Sequence, residues 1–133
     1  MTSKVVYRGD LRTEAVHLQS GSEIITDAPV DNHGKGEAFS PTDTVATALA
    51  SCMLTVMGIK AEDLKLSLNG TSAEVTKTMA TNPRRISKVE IKITFPETYS
   101  EKSRKVLENT AKTCPVLESL HPDMEKIISF NYL

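Results

Sequence analysis

Ser40-Pro41-Thr42-Asp43-Thr44-Val45-Ala46-Thr47-Ala48-Leu49-Ala50-Ser51-Cys52-Met53 is the stretch on which the architecture turns. Its beginning carries the marks of a helix start. Serine suits the N-cap, because its side-chain oxygen accepts from a backbone N–H that has no intrahelical partner. Proline suits the first helical position, where the N–H it lacks would be unpaired anyway. Asp43 stands where the acid of a capping box reaches back to the cap. Apolar residues then follow nearly all round: Val45, Ala46, Ala48, Leu49, Ala50, Met53, Leu54, Val56, Met57 and Ile59. A helix without a polar face is expected to be buried. The small residues Ala46, Ala48, Ala50 and Ser51 would let another element approach closely, and Gly58 reads as the approach to its end.

Strand signals lie on both sides. Val5-Val6-Tyr7 before Gly9-Asp10 reads as a strand and a turn. Residues 13–18 read as a second strand, Gly21-Ser22 as a hairpin turn, and residues 23–26 as a third strand. Residues 27–39, rich in Pro, Asp, Asn and Gly, form a loop of roughly a dozen residues, a length often associated with function. After the helix, Leu64-Lys65-Leu66-Ser67-Leu68 and Ala73-Glu74-Val75 both alternate. They predict one long or bent strand broken around Asn69-Gly70. Residues 81–85 read as a turn, and residues 86–95 as a strand ended by Pro96. Tyr99-Ser100-Glu101 opens an amphipathic helix carrying Val106, Leu107 and Ala111. Cys114-Pro115 starts a short helix that stops at His121-Pro122, and residues 126–132 form a last strand. The order β-β-β-α-β-β-α-α-β is α+β, not a doubly wound parallel fold.

With 133 residues the chain is expected to be a single domain, 1–133. Its composition is 39% hydrophobic and 25% charged, with a net charge of −1. That balance gives no electrostatic reason to expect nucleic acid or an anionic membrane as partner. No stretch is read as the roughly 20 apolar residues of a membrane span, and the N-terminus has no apolar signal-peptide core. The expected compartment is the cytoplasm, where two cysteines stay reduced unless they cycle. No CxxC or Cys/His cluster suggests a metal, and no cofactor motif is present. Gly34-Lys35-Gly36 lacks the spacing of a phosphate-binding loop. His17, His33 and His121 are scattered, and Met53, Met57 and Met79 read as core filler.

Candidate chemistry rests on the two cysteines. Cys52 lies inside the apolar helix, where a free cysteine is ordinarily a small buried hydrophobe. A functional role needs its thiolate, hence a cation from another segment. Arg8, Arg12, Arg84 and Arg85 are the candidates. Cys114 is either a helix cap and core filler, or a thiol whose place at a helix N-terminus favours its anion. Two such thiols close in space would form a reversible disulfide. Asp43 either completes the capping box or holds an arginine. It cannot simply sit beside Cys52, because nine helical residues rise about 13 Å and turn to roughly the opposite side.

Three stretches together resemble the OsmC/Ohr family, the osmotically inducible and organic hydroperoxide resistance proteins. They are the Ser40-Pro41-Thr42-Asp43 helix start leading to Ala50-Ser51-Cys52-Met53, the segment Cys114-Pro115-Val116-Leu117-Glu118-Ser119-Leu120, and the opening Gly9-Asp10-Leu11-Arg12. The resemblance implies antiparallel sheets wrapped around central helices in an intertwined homodimer. It implies that Cys52 attacks the peroxide and Cys114 resolves the sulfenic acid to a disulfide. Arg12 would stabilise the thiolate, an acid near the helix start would hold that arginine, and a dithiol such as a dihydrolipoyl group would reduce the disulfide. Where the hydroperoxide-resistance branch has glutamate this chain has Thr42, and Asp43 follows as the nearest acid. The glycine-rich turn before the arginine is replaced by Gly9-Asp10-Leu11.

The expected function is therefore a cofactor-free thiol peroxidase acting on organic hydroperoxides, with Cys52, Cys114, Arg12 and Asp43 as its site. The rival expectations are a non-catalytic protein that binds an apolar ligand or persulfide at the dimer interface, and an acyl- or sulfur-transferring thiol enzyme.

Overall fold

A computed structural model describes all 133 residues, Met1–Leu133. The packing divides the chain into two compact units, Met1–Val45 and Ala46–Leu133. The element order is the expected one.

The first unit is a three-stranded antiparallel meander of β1 (Ser3–Gly9), β2 (Arg12–His17) and β3 (Glu23–Asp27). Asp10 and Leu11 join β1 to β2 with φ of 53° and 62°. Two consecutive left-handed residues form the tight turn whose twist suits a hairpin. Gly9 pairs with Arg12 across it, so the turn delivers Arg12 as the first residue of β2. Beyond β3 the loop contains one 3-10 turn, Val30–Asn32. Gly34 is required there, because a Cβ would fall 1.6 Å from the Ala28 carbonyl oxygen.

Helix α1 (Pro41–Asp63) runs five residues beyond Gly58. Its cap is the expected capping box. Ser40 Oγ accepts from the Asp43 N–H, and an Asp43 carboxylate oxygen accepts from the Ser40 N–H, both at 3.0 Å. The other end closes with Lys65 in the left-handed region, φ 58°. The Leu66 N–H reaches the Ala61 carbonyl and the Lys65 N–H that of Glu62. This is the paired 6→1 and 5→2 closure of a Schellman cap. It overturns the expected strand over residues 64–68. Leu64, Leu66 and Leu68 alternate because they pack against the core as an extended leader, while β4 is confined to Ser72–Ala80.

In the second unit β4, β5 (Arg85–Phe95) and β6 (Glu125–Tyr132) form a sheet in the order β4-β5-β6. The expectation of antiparallel sheets holds for β4–β5, but β5 and β6 are parallel. The segment between them carries α2 (Glu101–Ala111) and α3 (Pro115–Ser119), which supplies the long crossover that parallel strands need. Central strand β5 turns Val89, Ile91, Ile93 and Phe95 inward, with the period of two of a half-buried strand. They share one core with Leu49, Met53 and Met57 of α1 and Leu107 and Ala111 of α2. Tyr132 stacks on Phe95 with ring centroids 4.6 Å apart and planes 5° apart.

Two expectations about α1 are corrected. Its buried residues, Ala46, Leu49, Ala50, Met53, Met57 and Ala61, lie on one stripe, so within a single chain the helix is covered on one side only. Ile59 is 62% exposed. The helix is also long and apolar enough, by length and composition, to cross a membrane, with a mean hydropathy of 1.5 over an 18-residue window. A helix buried in a protein core meets the same criterion, and Leu49, Met53 and Met57 are fully buried here.

Candidate active site

Cys52 sits midway along α1, half-buried against the core of the second unit. Cys114 is fully buried, and its backbone is extended because it is the N-cap of α3, with Pro115 at the first helical position. Its Sγ accepts the Leu117 N–H at 3.3 Å. One thiol thus comes from the middle of a long helix and the other from the mouth of a short one.

Both thiols belong to one apolar core, Cys114 within it and Cys52 packed against it. Burial pushes the Cys114 thiol above its ordinary pKa, the Leu117 N–H opposes that rise, and hydrogen bonding and charge from Cys52 add to it. The cap lowers the pKa in the direction expected of a helix N-terminus, but the dry surroundings outweigh it. Cys114 is therefore held as a protonated thiol beside Cys52. Both cysteines are free thiols. Two thiols that meet in apolar surroundings can pass between dithiol and disulfide.

Arg12 belongs to the first unit. It faces Asp27 directly across β2–β3. Nε donates to Asp27 Oδ1 at 2.7 Å and Nη2 to Oδ2 at 2.8 Å, a parallel fork-on-carboxylate pair. Nη2 also reaches Glu37 Oε2 at 3.3 Å. Asp27 is 1% exposed, whereas the Glu37 side chain is 65% exposed. The hydrogen bond from Arg12 is the largest influence holding Asp27 below the ordinary carboxylate pKa. Desolvation opposes it, and the charge of Arg12 and the Glu37 N–H assist. The Arg12 guanidinium is correspondingly raised, first by its hydrogen bond to Asp27.

The carboxylate that grips Arg12 is thus Asp27. Asp43 directs its carboxylate to the Ser40 N–H at the start of α1. Of the other arginines considered, Arg8 pairs with Glu14 at the surface at 2.9 Å, and Arg85 donates to the Thr81 and Pro83 carbonyls at 3.0 Å. Sequence reasoning missed Asp27 because it was read as the first loop residue. Extending both strands of the hairpin by one residue would have placed Arg12 and Asp27 opposite each other, and opposite charges at facing positions are a recognisable cross-strand signal. Glu37, inside the irregular loop, gave no such signal.

The sequence model of the OsmC-like protein family matches residues 34–126. Among solved structures, a Psychrobacter arcticus 273-4 protein described as an osmotic stress induced and detoxification response protein is 62% identical. The match covers 98% of this chain and 95% of that one, with a TM-score of 0.95. An organic hydroperoxide resistance protein from Legionella pneumophila is 17% identical over 98% of this chain and 97% of its own, with a TM-score of 0.74. One from Elizabethkingia anophelis is 15% identical over 100% and 97%, also at 0.74. These last two establish the fold alone. No curated protein matches the chain.

Proposed function

Because the chain belongs to the OsmC-like protein family, we propose that it is a thiol peroxidase that reduces organic hydroperoxides, Cys52 attacking and Cys114 resolving. The observation that carries this reading is the pair of free thiols, one half-buried and one fully buried, that share one apolar core. Relatives of the same fold include proteins named for organic hydroperoxide resistance.

The Cys52 thiolate attacks the terminal peroxide oxygen. The O–O bond breaks, the alcohol leaves with a proton, and Cys52 becomes a sulfenic acid. The Cys114 sulfur then displaces the hydroxyl, and its own proton leaves with it as water while the S–S bond forms. One hydroperoxide and two thiols give one alcohol, one water and one disulfide. An external dithiol, such as a dihydrolipoyl group, exchanges with the disulfide and restores both thiols.

Arg12 is the cation assigned in this reading to the Cys52 thiolate and the polar end of the peroxide. The protein acts as a homodimer. Large apolar side chains left open in the single chain support a second copy: Val5 at 60% exposure, Tyr7 at 63%, Ile24 at 55% and Ile59 at 62%. A reducing cytoplasm is the compartment in which such a thiol pair would be recycled.

The test is the intact mass of the reduced protein after one equivalent of cumene hydroperoxide, with and without a thiol-blocking reagent. Rapid loss of about 2 Da per chain with both thiols protected supports the cycle. Unchanged mass with both thiols still reactive overturns it and favours a protein that binds an apolar ligand or persulfide at the same thiols.

A further inference from the structure

Helix α3 has little to hold it besides the Cys114 sulfur. It has five residues, Pro115–Ser119, and none of them is fully buried. Its bonds are the Glu118 N–H to the Cys114 carbonyl at 3.2 Å, the Leu120 N–H to the Leu117 carbonyl at 3.3 Å, and the Ser119 hydroxyl to the Pro115 carbonyl at 2.8 Å. A helix this short is marginal by itself, because few bonds offset the ordering of its backbone. The Leu117 N–H has no partner inside the helix and is taken by Cys114 Sγ at 3.3 Å. Cys52, in contrast, stands on the 23-residue α1, which buries Leu49, Met53 and Met57 completely. The two thiols are not bonded to each other. Unbonded heavy atoms rest about 3.5–4 Å apart at closest contact, and bonded sulfurs about 2 Å, so joining the two moves one sulfur by about 1.5 Å or more. The long, buried helix resists that movement and the short one does not, so the sulfur that moves is that of Cys114. Turned toward Cys52 and carrying it as a second substituent, it no longer presents the same lone pair to the Leu117 N–H.

We propose that α3 is a redox-sensitive latch, closed while Cys114 is a thiol that caps the helix and released when a Cys52–Cys114 disulfide withdraws the cap. This rests on the reading that the two cysteines form that disulfide as they reduce a hydroperoxide. The balance is that of the cycle above: the hydroperoxide takes two electrons, the two thiols give them as the S–S bond forms, and one alcohol and one water leave. The latch gives each state the access it needs. In the dithiol state Cys114 is fully buried and Cys52 half-buried, so an incoming peroxide meets Cys52. Val116 and Leu117 of α3 pack against the core that contains Cys114. In the disulfide state their release uncovers the bond for the external dithiol, whose thiolate must approach a sulfur. Reduction returns the Cys114 sulfur to the Leu117 N–H, and the helix closes.

The test is amide hydrogen exchange, read by NMR on the full-length isotope-labelled protein, reduced and after one equivalent of cumene hydroperoxide. Intact mass is taken on the same samples. In protein that has lost about 2 Da, the Leu117 and Glu118 amides should exchange about threefold faster or more, the size expected of a lost cap. The Met53 and Met57 amides of α1 should not change. C114S is the control, because it oxidises at Cys52 without forming a disulfide, and its α3 amides should keep their reduced rates. If the disulfide forms and the α3 amides do not speed up, the latch is overturned while the peroxidase reading stands. If they speed up equally in C114S, oxidation at Cys52 is the cause and the latch is again overturned. If no disulfide forms, the peroxidase reading falls and the latch with it.

Discussion

The Leu117 N–H points at the sulfur of Cys114, 3.3 Å away, so the thiol is itself the cap of α3. The residue assigned to resolution therefore has a structural duty as well, and its substitutions should separate the two. Cys114→Ser keeps an acceptor at the cap, and serine is a better N-cap than cysteine. We expect C114S to fold normally and, after one equivalent of hydroperoxide, to gain about 16 Da as a sulfenic acid at Cys52. Cys114→Ala leaves the Leu117 N–H without its partner and should melt lower than C114S, with the same loss of disulfide. Intact mass and thermal denaturation of the two variants check this.

The raised pKa of Cys114 has a stability consequence with a definite sign. The folded state holds this proton more tightly than the unfolded chain, whose thiol has the ordinary value of 9.0. The contribution is complete below that value and is lost as pH rises through the higher folded pKa. Reduced wild type should therefore lose stability relative to C114S from about pH 9 upward. Tyr99 and Tyr132 are also raised, chiefly by burial, so the difference between the two proteins is the informative curve. Urea denaturation at pH 7 to 10.5 measures it, and parallel curves would contradict it.

The opposite sign applies to Asp27. Its folded pKa lies below the ordinary 3.8, so the Arg12–Asp27 pair contributes above that value and is lost as pH falls through the folded pKa. Acid denaturation of wild type should be steeper below about pH 4 than that of D27N. Coincident acid limbs would mean that the pair adds nothing to folding.

The reciprocal bonds between Ser40 and Asp43 predict that Ser40→Ala destabilises by about 1 kcal/mol, the usual cost of losing such a cap. Ser40 is 1% exposed, so water cannot readily replace its hydroxyl. Thermal denaturation of S40A checks the loss, and an unchanged melting temperature would show the cap to be dispensable.

Phe95 and Tyr132 provide a graded test of the core. Tyr132→Phe keeps the stacked ring but removes the 2.8 Å hydrogen bond to Glu108, for an expected loss of about 1 kcal/mol. Phe95→Ala removes a fully buried ring that contacts Tyr99, Phe130 and Tyr132, for an expected loss of about 3–5 kcal/mol. Chemical denaturation should rank the two variants in that order.

What the sequence determined by itself was local. The Ser40-Pro41-Thr42-Asp43 cap, the hairpin signals before it, the alternation of β5 and the Cys114-Pro115 helix start are each decided by contacts within a few residues. A chain segment carries that information whole. The same locality explains the error at residues 64–68, where alternating leucines imitate a strand although the turn at Lys65 closes the helix and leaves them as core packing. Only the tertiary structure decided which charges and thiols meet. Cys52 and Cys114 share one core although β4, β5 and α2 separate them in sequence, and Arg12 takes Asp27 because of a hairpin register one residue longer than its apolar pattern. Such pairings depend on register and on the path of the chain, and a slip of one residue in a strand turns a side chain to the other face.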